Sequence, residues 1–128
     1  MTIDLLEPTG PTERSILRAA RERITERAHW TRDALARDCH GYSVPYGSED
    51  ACRWCALGAL HLAGRRAPGL ILDEAIARLA ATIRILYRID GSDDHVISGL
   101  NDGTGSERGH QPILRSLDMA IGPDETTS

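Results

Sequence analysis

Between Ala51 and Ala63 the chain carries apolar residues on every side of a helix. Ala51, Trp54, Cys55, Gly58, Ala59 and Leu62 form one stripe, and Leu57 and Leu60 make the opposite side apolar too. A helix of this kind has no strip to offer to water, so it must lie inside with the rest of the chain around it. The pattern predicts a buried central helix over 51–63, with Ser48 or Asp50 as its cap. Gly58 and Ala59 let a neighbouring element approach closely, and Trp54 fills volume beside them.

The flanking segments read as the wrapping. Thr12 is a good N-cap, and from Glu13 to Ala28 the residues Ile16, Leu17, Ala20 and Ile24 share one helical face. Arg14, Arg18, Arg21, Glu22, Glu26 and Arg27 occupy the other face. A second short helix is predicted from Trp30, with Ala34, Leu35 and Asp38 at helical spacing and Gly41 as its stop. Tyr42 to Ser48 is a loop by its Pro, Gly and Ser content. Asp73 leads a long helix through Ala75, Ile76, Leu79, Ala80, Ile83, Leu86 and Tyr87, ended by Asp90-Gly91. Ser92 caps a short turn holding Val96, Ile97 and Leu100, and Asn101 to His110 reads as a Gly-rich loop. Pro112 opens a last helix that turns Ile113, Leu114, Leu117 and Ile121 to the core. The expected fold class is all-α: one bundle of five or six helices around the buried 51–63 helix. A flexible arm over 1–11 precedes a single domain over 12–122, and a frayed tail covers 123–128.

Composition agrees with helices. Ala, Leu and Ile dominate, Val is nearly absent and Phe is missing. With 128 residues and 41% hydrophobic content the chain has the size and composition of one globular domain, not of a disordered segment. No stretch approaches the roughly 18 apolar residues of a membrane helix. The net charge of −4 argues against a wide nucleic-acid footprint. All fifteen basic residues are Arg, which codon usage explains without a ligand. The N-terminus has no basic flank followed by an apolar run, so a cytoplasmic location is expected and no structural disulfide is.

Three groups of residues could carry chemistry. Cys39, Cys52 and Cys55, with His61 as a fourth ligand or His40 in place of Cys39, could build a tetrahedral zinc site. The second CxxC or HxxxH pair usual in a zinc ribbon is missing, so the preferred expectation is no metal and no cofactor. Cys55, about one turn into the central helix, could be a nucleophile whose thiolate the helix dipole favours. The bland alternative is a small buried apolar residue. The third group is polar: Asp38, Asn101 and Asp102, with Asp118 beside the core stripe of the last helix. Such residues are often helix caps or Asx-turns. If they converge instead, they supply an acid/base or polar anchor. No Gly-rich phosphate loop, GxSxG elbow or HExxH helix is present.

Ala36-Arg37-Asp38 with Gly41, the run Arg53-Trp54-Cys55-Ala56-Leu57-Gly58-Ala59-Leu60, Asn101-Asp102, and Leu114 to Ile121 form a pattern. It resembles a family of short proteins of unknown function common in actinobacteria and their phages. The resemblance spans about residues 30–121, with Trp-Cys-Ala-Leu-Gly-Ala its most specific part. It implies an all-α domain and shared polar positions at Asp38, Asn101, Asp102 and Asp118, and it implies no particular activity.

The functional expectation is a small enzyme or ligand-binding domain acting on a small polar molecule, within specialised metabolism in one version. Asp102, Asp38 and Cys55 would be the catalytic candidates, and Asn101, Trp54 and Asp118 would contact the ligand. The alternative is a non-catalytic helical adaptor or phage accessory protein, in which those polar groups are caps and the partner is a protein, a second copy included. A structural zinc domain comes third.

Overall fold

The computed structural model describes residues 12–104 and 107–123; the expected arm over 1–11 and the tail from 124 lie outside them. Helix α1 (Glu13–Arg23) starts at a capping box. Thr12 Oγ1 accepts from the Ser15 amide at 3.1 Å while Ser15 Oγ accepts from the Thr12 amide at 2.7 Å. Its inner face buries Ile16, Leu17 and Ala20. The helix stops short of the expected Ala28. The Ile24 carbonyl, which would carry the next turn, is taken instead by the His110 ring at 2.6 Å. A carbonyl only accepts, so His110 holds its proton on Nε2. A single 3-10 turn at Arg27–His29 follows.

The second predicted helix is absent, and this is the main correction to the all-α expectation. Trp30 is extended, Asp33 takes a left-handed φ of 64°, and Ala36–Asp38 forms strand β1. The predicted 51–63 helix is divided in the same way. Ala51–Trp54 is strand β2, antiparallel to β1 with Ala36 opposite Trp54 and a register shift at Arg37/Asp38. Only Ala56–Ala63 is helical, as α2. Cys55 is its N-cap, its sulfur accepting from the Gly58 amide at 3.3 Å. Ser48 does not cap this helix; its hydroxyl accepts from the Asp50 amide at 3.1 Å inside the hairpin loop.

The shortened helix α2 is still the buried centre of the domain. Every residue from Ala56 to Leu60 is buried, and α2 packs against α1 and two later helices, α3 (Gly69–Tyr87) and α4 (Asp93–Asp102). Gly58 is required by the fit. A Cβ there would collide with the Leu35 carbonyl, whose carbon lies 2.8 Å from its position. Helix α3 begins at Gly69, earlier than expected, and buries Ala75, Ile76, Leu79, Ala80 and Ile83. Ser92 caps α4 as expected, but the helix runs through Asn101 and Asp102, which the sequence pattern assigns to a loop. Helix α5 (His110–Ile121) closes the domain. Its C-terminal carbonyls are held by arginines of two other helices: Arg14 Nε donates to Ile121 O at 2.8 Å, and Arg78 Nε to Ala120 O at 2.7 Å. Among the described residues the domain is therefore mostly helical, with five α-helices and one two-stranded sheet. No described helix is long and apolar enough to cross a membrane.

Candidate functional site

Asn101 is fully buried near the end of α4, and its amide makes four hydrogen bonds that join α4 to the Trp30–Thr31 segment and to the start of α2. Oδ1 accepts from Trp30 Nε1 at 2.8 Å and from the Ala56 amide, the first residue of α2, at 3.0 Å. Nδ2 donates to Thr31 O at 3.0 Å and to Asp102 Oδ1 at 2.8 Å. An indole and an amide only donate, and a carbonyl and a carboxylate accept, so the partners fix which end of the side chain is oxygen. Asp102 extends the clasp by accepting from the Asp33 amide at 2.9 Å, which holds that residue in its left-handed conformation.

The other polar candidates do not join this cluster. Asp38 Oδ1 accepts from the His40 and Tyr42 amides, both at 2.9 Å, and so shapes the turn after β1. Asp118 pairs with Arg21 on the exposed seam between α5 and α1, Oδ1 at 2.9 Å and Oδ2 at 3.3 Å. Cys55 is buried, and its thiol is pushed up to about 11, first by loss of solvation and also by the Asp102 carboxylate. The Gly58 N–H pulls the other way and loses. The helix terminus therefore does not make Cys55 a thiolate, contrary to the dipole argument.

The expected zinc set is not assembled either. Cys39 and Cys52 are joined in a disulfide, which corrects the expectation of no such bond. His61 packs on Tyr46, ring centroids 5.4 Å apart. Among the described residues no group of three His, Cys, Asp or Glu side chains gathers as a metal site would require.

A separate concavity, an open groove of about 830 Å³, lies between the C-terminal half of α1, the 3-10 turn and β2. Glu22, Arg23, His29, Arg53, Trp54 and the Cys39–Cys52 disulfide line it. Trp54 is half-buried, with its indole N–H donating to Tyr46 O at 3.0 Å. The Arg23 guanidinium lies over that indole, 4.7 Å from the ring centroid. Among the described residues neither Arg23 nor Arg53 has a carboxylate partner.

Residues 8–122 match the profile of a family described as a family of unknown function, DUF6197. The chain belongs to this family. No curated protein and no solved structure matches it significantly. The DUF6197 match takes in both the Asn101 clasp and the groove. Of the DUF6197 residues singled out from sequence, Asn101 and Asp102 lie together, Trp54 stands in the groove, and Asp38, Cys55 and Asp118 serve separate local structures.

Sequence reasoning missed Trp30, Thr31 and Asp33 as the partners of the clasp, and Arg23 as the partner of Trp54. One signal was present. Val96, Ile97, Leu100 and Asn101 recur at helical spacing, which puts an amide on a buried face, and a buried amide requires polar partners.

Proposed function

We propose that this protein is a small-molecule binding domain whose site is the groove beside α1 and β2, and whose ligand is a planar organic anion. The observation that carries this reading is Arg23: a guanidinium stacked on a half-buried indole, with no carboxylate partner and no hydrogen bond to the described residues. Arg presents a flat fork of N–H donors suited to a carboxylate or phosphate. Trp54 offers a flat apolar wall beside it. Arg53 adds a second positive charge at the rim, and Glu22 favours a ligand that keeps its anionic end toward the two arginines.

Binding is preferred to acid/base catalysis because of where the carboxylates are committed. Asp102 and Asp38 each spend an oxygen on two N–H donors that hold local structure. Cys55 is buried with its thiol held protonated.

Isothermal titration calorimetry with naphthoate, a flat carboxylate, tests the reading. The expected result is one site per chain, with affinity falling at least about tenfold, some 1.4 kcal/mol, in Arg23→Ala. Naphthoate binding that is undiminished in Arg23→Ala, or matched by the cationic analogue naphthylmethylamine, would overturn it. A stable dimer that buries the groove and excludes naphthoate would favour the adaptor reading.

A further inference from the structure

The disulfide joins Cys39, the residue after β1, to Cys52, the second residue of β2, and both cysteines line the groove. Three observations separate it from a bond that holds a core together. Cys39 is exposed and Cys52 half-buried, so the bond lies at the surface, where an external thiol can approach it. The buried cluster built from residues such as Leu17, Leu60, Leu79, Ile97 and Leu117 contains neither cysteine. The third cysteine does not compete, because Cys55 is buried with its sulfur on the Gly58 amide at the start of α2.

We propose that Cys39–Cys52 is a thiol–disulfide exchange site opening on the groove, and that its co-reactant is an external thiol or dithiol. The inference does not depend on the ligand reading above, since exchange is measured with the groove empty. The external thiolate attacks Sγ of Cys39, the more exposed of the two residues. A bond forms between the incoming sulfur and Cys39, the Cys39–Cys52 bond breaks, and its electron pair leaves on Cys52 Sγ. That thiolate departs next to Arg53 and on the groove shared with Arg23 and His29, against the opposing charges of Glu22, Asp38 and Asp50 nearby in space or sequence. It then takes a proton from water. The second sulfur of the dithiol, or a second thiol, attacks the incoming sulfur in the mixed disulfide and releases Cys39. The reductant leaves as a disulfide, two electrons oxidised, and the protein holds two thiols.

The exchange also acts on the groove wall. The loop closed by the bond contains Tyr46, whose carbonyl holds the Trp54 indole. Breaking the bond frees that loop and loosens the surface on which Arg23 stacks. In an oxidising compartment the wall is fixed, and in a reducing one it is released.

The test uses the full chain with the disulfide verified by intact mass. Dithiothreitol is added to the native protein and, separately, to the urea-unfolded protein, and free thiols are counted by alkylation and mass. The expected result is native reduction within about tenfold of the unfolded rate, with the helical circular dichroism unchanged afterwards. Brief treatment with mercaptoethanol, quenched by alkylation and mapped by peptide mass, is expected to find the adduct on Cys39. Native reduction slower than the unfolded rate by more than about tenfold overturns the proposal. Loss of the helical signal on reduction, or an adduct formed on Cys52, overturns it as well.

Discussion

Replacing Asn101 by alanine takes the acceptor from two buried donors, Trp30 Nε1 at 2.8 Å and the Ala56 amide at 3.0 Å. A buried donor left without a partner costs about 1–3 kcal/mol, so the pair costs about 2–6 kcal/mol. On the other side Thr31 O and Asp102 Oδ1 lose a donor, and Asp102, only half-buried, can turn to water. A loss of about 4 kcal/mol is a large share of the roughly 5–15 kcal/mol that a domain has. Asn101→Asp sharpens the prediction because it keeps the shape and the Oδ1 acceptor. The introduced carboxyl faces Thr31 O and the Asp102 carboxylate, so it is stabilised only while protonated and its folded pKa is raised. Its stability relative to wild type is therefore highest below the ordinary carboxyl range and is lost as pH rises through the folded pKa. Urea unfolding of the three proteins, followed by tryptophan fluorescence across pH 4 to about 8, reads both effects through the midpoint at constant m-value. A cost for Asn101→Ala below about 1 kcal/mol would refute the clasp. So would an Asn101→Asp deficit that does not change with pH.

Other outcomes follow from the same geometry. Gly58→Ala forces a Cβ into the Leu35 carbonyl and is expected to cost about 3 kcal/mol or more by thermal or urea unfolding. The Cys55 thiol titrates at about 11 in the fold against an ordinary 9.0, so stability is full below the lower value and falls as pH rises through the higher one. That loss is about 2–3 kcal/mol, and it disappears in Cys55→Ser, whose hydroxyl keeps the cap. The disulfide closes a loop of sequence separation 13, and the double change Cys39→Ser with Cys52→Ser is expected to cost about 3 kcal/mol while the domain still folds. Asp118→Asn breaks an exposed pair and should move the unfolding midpoint by less than about 1 kcal/mol equivalent.

What could be read from the residues depended on whether a pattern had a period. Ile16, Leu17, Ala20 and Ile24, like Ile113, Leu114 and Leu117, mark one face and identify their helices well. The run from Ala51 to Leu62 is apolar on every side, and a pattern without a period cannot distinguish strand from helix. Its division at Cys55 is decided by pairing with Ala36–Asp38, which no local window contains. The same limit applies to the site. Asn101 and Asp102 stand out locally as polar residues beside an apolar stretch, but the indole that explains Asn101 is 71 residues away. The disulfide is hidden in the sequence because the compartment argument speaks against it and helical spacing covers both sides of the hairpin that brings Cys39 to Cys52.

The clasp also bears on time. Asn101 joins partners 71, 45 and 70 residues distant, so its bonds close only after α4 has docked on α2 and the Trp30 segment has folded back over both. Contacts that close such long loops late contribute little to the barrier on the way in and most of their strength to the barrier on the way out. Asn101 then acts less as a guide to the native state than as a lock on its lifetime. In a chevron, Asn101→Ala should leave the refolding arm nearly in place and raise the unfolding arm, shortening the residence of every chain in its folded form.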